Sequence, residues 1–315
     1  MSMSILWLIG GLVVLIAGGE LLVQNASALA LKANIPPLVV GLTVVALGTS
    51  APELFASLQA AWQGDGSIAI GNVLGSNVAN LGLALGVTAL VAPVVVAWKA
   101  LKLHWWVMMA ATAAFMFMVQ DLRLTGLEGA MLLAGGALYL GGQIWTAKQD
   151  QVDDLMEEAG DATKPYPMLV AMLFMGCVGL FFGSEAFVRG AAEVALSMGI
   201  SNHAVGVTVV AFGTSVPEIA ASLTAAIKGN NDLSIGNLVG SNILNILLVL
   251  GATASCGTLK VDPVVPVHDM WWMLGAAVLL APLVWLGKGV VSRWGAVLYI
   301  LVYGVYVALV LVHCT

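Results

Sequence analysis

The chain has few charged residues. Lys, Arg, Asp and Glu make up 9% of its 315 residues and 60% are hydrophobic, whereas a soluble domain has about 25% charged residues. This composition excludes a soluble globular protein and predicts a polytopic membrane protein. The N-terminus lacks a basic segment and a small-residue cleavage site, so we expect residues 5–23 to be retained as a first span.

Cysteines are also scarce. Cys177, Cys256 and Cys314 lie in or beside apolar runs and have no metal-ligand spacing, which argues against a disulfide framework. The net charge of −6 reflects acids clustered in one short segment, so it indicates no nucleic-acid partner. The spans contain neither the Asp pair nor the H-E-x-x-H helix of an intramembrane hydrolase, and we expect no enzymatic activity and no cofactor.

Hydropathy predicts ten membrane-spanning helices, because about 20 apolar residues cross a bilayer. The predicted spans fall at about 3–24, 37–62, 68–92, 103–120, 125–146, 167–190, 202–227, 233–255, 269–286 and 291–312. We therefore expect a first five-helix repeat over 1–147, an acidic linker over 148–166 and a second five-helix repeat over 167–315.

Two motifs occur twice in the chain. GLTVVALGTSAPE at 41–53 returns as GVTVVAFGTSVPE at 206–218, with 10 of 13 positions identical, and IGNVLGSNVAN at 70–80 returns as IGNLVGSNILN at 235–245, with 7 of 11 identical. The offset is the same in both cases, since 218 − 53 = 165 and 245 − 80 = 165. Because five spans is an odd number, the second repeat must enter the membrane from the opposite side. This predicts inverted-topology repeats with a site at the bilayer midplane between them.

Glu20 and Glu185 match at the same offset, since 185 − 20 = 165. Both fall near the ends of predicted spans. They could face the membrane interface or headgroups, or line an ion path, and we expect the interface.

The distribution of basic residues predicts the orientation. On the side of the N-terminus the connections hold Arg123, Arg189 and Lys260. The other side holds eight basic residues: Lys32, Lys99, Lys102, Lys148, Lys164, Lys228, Lys288 and Arg293. We therefore expect a protein of the cell (inner) membrane with both termini outside and the linker in the cytoplasm.

Each repeat places one Glu in a polar frame deep inside an apolar run. Thr49 and Ser50 share a helix face with Glu53, and Pro52 frees backbone carbonyls nearby. The second copy has the same arrangement in Thr214, Ser215, Pro217 and Glu218. Two ionised carboxylates ~5 Å apart would repel by roughly 3 kcal/mol at an effective dielectric of 20. The pair therefore needs a cation between the two carboxylates or a proton on one of them, and we expect a cation site.

Polar residues also form a stripe in the third and eighth spans. The third span has Asn72, Ser76 and Asn80 at a spacing of four, and the eighth has Asn237, Ser241 and Asn245. Amide and hydroxyl oxygens are hard ligands that suit sodium, calcium or magnesium. For Asn72 and Asn237, direct ligation and hydrogen bonding to a ligand are both open.

These motifs resemble the two alpha-repeats of the calcium/cation antiporter superfamily, specifically its sodium/calcium exchanger type. The resemblance rests on GTSAPE…GNVLGSNVAN and GTSVPE…GNLVGSNILN and extends over essentially the whole chain. It implies an all-α polytopic membrane protein with ten transmembrane helices in two inverted-topology repeats. It also implies exchange of calcium for sodium by alternating access, by a chain that functions as a monomer in the lipid bilayer.

The resemblance further implies which residues bind the ions. Calcium is expected at Glu53, Glu218, Thr49 and Thr214. Sodium is expected at the same two Glu and at Ala46, Ser50, Ser76, Ala211, Ser215 and Ser241, where the two Ala contribute backbone carbonyls. Asn80 and Asn245 are expected to line the centre, with Asn72 and Asn237 beside them.

The chain departs from some relatives at Asn245, where those proteins carry Asp. With Asn at both central positions, only two acids are left, which argues against potassium dependence and leaves the stoichiometry open. The GNxxE-type motif of proton-coupled relatives does not occur. A calcium (or other cation)/proton antiporter is the alternative function, and a cation channel is a further one.

Overall fold

The protein is built almost entirely of helices. The computed structural model describes residues 2–147, 163–198 and 213–313. The first half contains eight α-helices: α1 Ser2–Ala33, α2 Pro37–Val40, α3 Ala46–Thr49, α4 Ala51–Trp62, α5 Gly66–Ala79, α6 Gly86–Val91, α7 Trp98–Met118 and α8 Gly126–Ala147. The described part of the second half contains six: α9 Tyr166–Ser197, α10 Val216–Ile227, α11 Asn231–Leu244, α12 Gly251–Ser255, α13 Met270–Leu286 and α14 Arg293–His313.

Short π-helical turns join several of these helices into longer rods. The turns are Gly41–Val45 between α2 and α3, Asn80–Leu85 between α5 and α6, Asn245–Leu250 between α11 and α12, and Val265–Asp269 before α13. The turns at Asn80 and Asn245 are equivalent in the two repeats, because 80 + 165 = 245. Such turns are rare and are found mostly at functional sites. Each of these two begins at an Asn predicted to line the ion site.

Several of the helices are suited to crossing a membrane. In the described part of the chain, seven are long and apolar enough, or eight if the bent pair Pro37–Thr49 and Ala51–Trp62 is one span. A 22-residue helix, Gly126–Ala147, lies where the fifth span is predicted. The seventh predicted span is described only from residue 213 onward and contains the short apolar helix Val216–Ile227. Residues 148–162 of the acidic linker also lie outside the described residues.

The first helix of each repeat is longer than predicted. α1 continues to Ala33 and α9 continues to Ser197, although the predicted spans end at 24 and 190. In α1, hydropathy falls at the polar residues that follow Val23. However, Asn25 and Ser27 donate their side-chain hydrogen bonds to carbonyls one turn earlier in the same helix, so the polar groups are satisfied without ending it.

The longer helices change the positions of Glu20 and Glu185. Because α1 ends at Ala33 and α9 ends at Ser197, both acids lie well inside their helices, several turns before the last residue. Because these 32-residue helices are longer than the roughly 30 Å core of a bilayer, the position of the two acids relative to the membrane boundary stays a prediction.

Two rods form the centre of the molecule. The most apolar window of Gly66–Val91 is 78% buried and that of Asn231–Ser255 is 94% buried, whereas the other candidate spans are between 22% and 33% buried. The main hydrophobic core includes Leu74 and Leu81 of the first rod and Ile243 and Leu250 of the second. The outer helices therefore present their apolar side chains to lipid, and the central rods carry the polar motifs.

α1 and α9 pack antiparallel along their length. Gly176 approaches Leu22, and Gly183 and Gly190 approach residues seven and fourteen positions earlier in α1, Leu15 and Leu8. A Cβ atom on any of these three glycines would lie within 2.8 Å of a backbone nitrogen of the partner helix. Small residues are therefore needed at this contact. The first helices of the two repeats thus run in opposite directions.

Four short strands tie the two halves together. β1 (Val94–Val95) pairs antiparallel with β4 (Val290–Val291), and β2 (Arg123–Leu124) pairs antiparallel with β3 (Leu259–Lys260). Because α7 separates β1 from β2, the two pairings lie at opposite ends of a helix about 31 Å long. Each pairing joins a loop of the first half to a loop of the second.

Candidate functional site

Glu53 and Glu218 each lie in the first turn of a helix that follows a break. α4 begins after Ser50, which has φ −85° and ψ 5°, and the segments on the two sides of this residue are bent by 44°. α10 begins after Ser215, which has nearly the same conformation, φ −88° and ψ −2°. In both helices the residue before the Glu is Pro, which cannot donate a backbone hydrogen bond to the preceding turn.

The break places each carboxylate at the positive end of a helix. Both Glu53 and Glu218 are fully buried, with 0% of their surface exposed. The free N–H groups at a helix N-terminus favour a negative charge in the first turn. The positive potential of these N–H groups lowers the free-energy cost of burying the two acids, but it does not supply a full positive charge.

Residues of both halves meet at these two acids. Ser50 Oγ of the first half donates a hydrogen bond of 3.3 Å to Glu218 Oε1 of the second half. Thr49 and Ser241 lie beside the same carboxyl group, and Glu53 is close enough to repel it electrostatically. The structure therefore brings the two predicted acids into one site shared by the two repeats.

Buried oxygens at this site lack hydrogen-bond partners within the described part of the chain. Six such atoms belong to predicted site residues: Oε1 and Oε2 of Glu53, Oε2 of Glu218, Oγ of Ser215, and Oδ1 of Asn80 and Asn245. An unsatisfied buried polar atom costs roughly 1–3 kcal/mol, and more when it is charged. Carboxylate, amide and hydroxyl oxygens are the ligands of Ca²⁺ and Na⁺. The six atoms therefore fit a hard cation.

Two hydroxyl pairs flank the acids. Thr49 Oγ1 lies 3.4 Å from Ser241 Oγ, and Ser76 Oγ lies 3.3 Å from Thr214 Oγ1. These pairs are equivalent in the two repeats, because 49 + 165 = 214 and 76 + 165 = 241. Each joins a residue of one repeat's broken helix to the central rod of the other repeat.

Asn72 and Asn237 each donate a hydrogen bond to a serine on the helix that carries the acid of the same repeat. Asn72 Nδ2 donates to Ser57 Oγ at 3.0 Å, and Asn237 Nδ2 donates to Ser222 Oγ at 2.9 Å. The oxygen of Asn237 accepts the hydroxyl of Thr49 at 3.0 Å. For Asn237 this geometry favours hydrogen bonding to a predicted ligand over direct ligation.

Of the two predicted alanine carbonyls, the structure describes that of Ala46. The Ala46 carbonyl accepts the backbone N–H of Ser50 at 3.0 Å and the hydroxyl of Thr49 at 3.4 Å. It therefore lies at the break in the helix, next to the acids. Ala211 lies outside the described residues.

Asn77 and Asn242 are part of the site, although sequence reasoning did not select them. Asn77 Nδ2 donates to the Asn242 carbonyl and Asn242 Nδ2 donates to the Asn77 carbonyl, both at 3.2 Å. Their side-chain oxygens accept the amides of Asn80 and Asn245, both at 3.1 Å. These bonds fix the Asn80 and Asn245 amides with their oxygens free. The signal was available, because GSN occurs in both copies of the motif.

Glu53 and Glu218 are the acids of the site, and the other predicted ligands are neutral oxygens. Within residues 2–147, 163–198 and 213–313, no three His, Cys, Asp or Glu side chains come together to hold a metal ion.

Comparisons with known proteins agree with this geometry. The profile of the family described as "Sodium/calcium exchanger protein" matches residues 3–145 and 168–312. The chain belongs to the sodium/calcium exchanger family. It is therefore a multi-pass membrane transporter of the cation-antiporter class, and members of this family act as exchangers and not as enzymes.

Individual relatives cover nearly the whole chain. CaxA of Alkalimonas amylolytica is 38% identical over 284 residues, 89% of each chain. The sodium/calcium exchanger MaX1 of Methanosarcina acetivorans is 28% identical, over 96% of this chain and 97% of its own. A solved structure of the sodium-calcium exchanger NCX_Mj superposes with a TM-score of 0.79 at 30% identity, over 97% of this chain and 98% of that one.

The hydrogen bonds among four asparagines form an amide network that should stabilise the protein: Asn77, Asn80, Asn242 and Asn245. Asn77→Ala removes the acceptor of the Asn245 amide and the donor to the Asn242 carbonyl. Each buried group left unpaired costs roughly 1–3 kcal/mol, so we expect the midpoint of thermal unfolding in detergent to fall by about 5 °C or more.

Gln120→Ala is the matched control, because the exposed Gln120 amide only donates to Met116 within the same helical segment. Its midpoint should stay within about 1 °C of the wild type. Equal midpoints for the Asn77 variant and the wild type would contradict a stabilising role of the network.

Proposed function

We propose that the protein is a secondary antiporter that exchanges Ca²⁺ for Na⁺ across the membrane. The observation that carries the proposal is the set of six buried, unpartnered oxygens contributed by both repeats. Membership of the sodium/calcium exchanger family supports it. In this proposal Glu53, Glu218, Thr49 and Thr214 bind Ca²⁺, and the residues predicted for Na⁺ share the two Glu.

Charge balance explains why the two ions compete. Glu53 and Glu218 contribute two formal negative charges when ionised, and the amides of Asn80 and Asn245 contribute none. One Ca²⁺ or two Na⁺ would neutralise the pair. A site emptied of cations would leave two carboxylates in an apolar core, which costs several kcal/mol. Only loaded sites would then cross between the two sides, and this is the condition for exchange.

We propose ten spans in two inverted repeats as the architecture that carries out this exchange. Three observations support it: the antiparallel packing of α1 and α9, the reciprocal Asn77–Asn242 hydrogen bonds, and the strand pairings at opposite ends of α7. Each of these contacts relates one half to the other by an approximate twofold rotation axis. Alternating access then requires that contacts at one end of the site open while those at the other end close.

The alternatives are less well supported. A proton-coupled antiporter would use the same acids, but the family profile matched by this chain is that of sodium/calcium exchangers. A channel would need a continuous pore, whereas both acids are fully buried. Dependence of calcium movement on sodium in the opposite compartment separates the three functions.

Removing either carboxylate tests the ion site. Glu53→Gln and Glu218→Gln keep the side-chain shape and remove one charge that a divalent ion needs. We expect each to lower Na⁺-driven Ca²⁺ uptake into proteoliposomes about 100-fold or more, because the loss of one partner from a buried charge pair costs about 3 kcal/mol.

Glu128→Gln is the matched control. Glu128 accepts hydrogen bonds of 2.8 Å from the backbone and hydroxyl of Thr125 at the start of α8, and Gln can accept the same bonds. This variant should transport like the wild type. Sodium-driven calcium uptake that persists in both the Glu53 and Glu218 variants would remove these residues from the site.

We further propose that the protein lies in the cell (inner) membrane as a monomer, with both termini outside and the linker in the cytoplasm. The eight-to-three distribution of Lys and Arg supports this orientation. A cysteine at Asp154, in a protein whose native cysteines are replaced by Ser, should react with a membrane-impermeant thiol reagent only after the cells are opened. Reaction in intact cells would reverse the orientation.

A further inference from the structure

A cleft opens between α4 and α9 beside the ion site. Its volume is about 340 Å³, and its lining includes Gln59 of α4 and Ser184 and Glu185 of α9. Pro52 and Thr214 also line it. These two residues belong to the breaks that place Glu53 and Glu218, so the cleft extends to the edge of the site.

Glu185 places a negative charge in this cleft. Its side chain is exposed, although it lies within a long apolar helix. Among the described residues, no Lys, Arg or His forms an ion pair with it. A carboxylate on the wall of an open cleft whose other lining residues are mostly apolar raises the local concentration of cations.

The equivalent position in the first repeat is different. Glu20, which matches Glu185 at an offset of 165, forms an ion pair of 2.9 Å with Lys228 and accepts the Gln24 amide at 3.0 Å. The adjacent Gly19 packs closely on α10, since a Cβ atom there would lie 3.0 Å from Thr224 Oγ1. Glu20 is therefore neutralised by Lys228 beside a tightly packed helix contact, whereas Glu185 lines an open cleft.

We propose that Glu185 is an entry residue for the transported cations on the α4–α9 side of the site. Its carboxylate attracts Ca²⁺ and Na⁺ into the cleft, from which they pass Thr214 to reach Glu218 and Glu53. Gln59, on the opposite wall, offers a neutral amide oxygen to the same ions. Lys228 neutralises Glu20, the equivalent acid of the first repeat. The attraction of cations therefore operates from one face of the membrane only. The proposal rests on the exchange of cations at the buried acids and adds their route of entry.

An entry charge gives a kinetic signature that a structural defect does not. Its effect on local concentration is exponential in ion valence, so the factor for Ca²⁺ is the square of that for Na⁺. For Glu185→Gln at low ionic strength we expect KM to rise about four- to tenfold for Ca²⁺ and about two- to threefold for Na⁺. The increase should appear on one face of the membrane, shrink at about 0.5 M choline chloride, and leave the maximal rate unchanged.

Right-side-out and everted membrane vesicles allow each face to be measured separately. Glu128→Gln is the matched control, because Glu128 lies at the start of α8, accepts its hydrogen bonds from Thr125 and is outside the cleft lining. It should leave both KM values unchanged. An unchanged KM for Ca²⁺ in Glu185→Gln, or equal factors for the two ions, would overturn the proposal while leaving the exchange activity established.

A second measurement does not depend on transport. Gln59→Cys, in a protein whose native cysteines are replaced by Ser, places a thiol on the cleft wall opposite Glu185. We expect a cationic methanethiosulfonate to react about tenfold faster relative to an anionic one than it does with a free thiol. Adding Glu185→Gln should lower this ratio at least about threefold, and adding Glu128→Gln should not change it. A ratio that Glu185→Gln leaves unchanged would show that its charge does not act on the cleft, whatever the protein transports.

Discussion

The burial of two carboxylates at one point is the constraint on which the rest of the structure depends. Glu53 and Glu218 are fully buried, and three of their four carboxylate oxygens have no hydrogen-bond partner among the described residues. The surrounding groups reduce the cost without removing it: helix N-termini favour the negative charge, and Ser50 donates to one oxygen of Glu218. In the proposed function, a bound cation offsets the remaining cost.

The two halves of the molecule hold this site in a reciprocal way. Hydroxyl contacts pair Thr49 with Ser241 and Ser76 with Thr214, so neither half can form the site alone. The Asn77–Asn242 pair links the central rods at the same level. The described residues of the two halves differ further out, where a cleft is open beside α4 in one half and Gly19 packs closely on α10 in the other. A symmetric site with asymmetric approaches fits the alternating access that we propose.

Much of this could be predicted from the sequence, because the repeated motifs fix which residues meet. The acids, hydroxyls and central asparagines follow from the constant offset between the two repeats and from helical spacing. Hydropathy could not place the ends of α1 and α9, because Asn25 and Ser27 satisfy their side chains within the helix. The role of Asn77 depends on a contact with the other repeat, and the different environments of Glu20 and Glu185 depend on how the helices pack. Neither is encoded in local spacing.

The most direct test of the account is calcium efflux from loaded proteoliposomes with defined ions outside. If empty, charged sites cannot cross the membrane, efflux into a medium without Na⁺ and Ca²⁺ should match that of protein-free liposomes. Addition of either ion outside should start it. Efflux at full rate without an external cation would indicate a channel, and efflux driven by protons in place of Na⁺ would indicate a different antiporter. Either result would contradict the exchange of calcium for sodium.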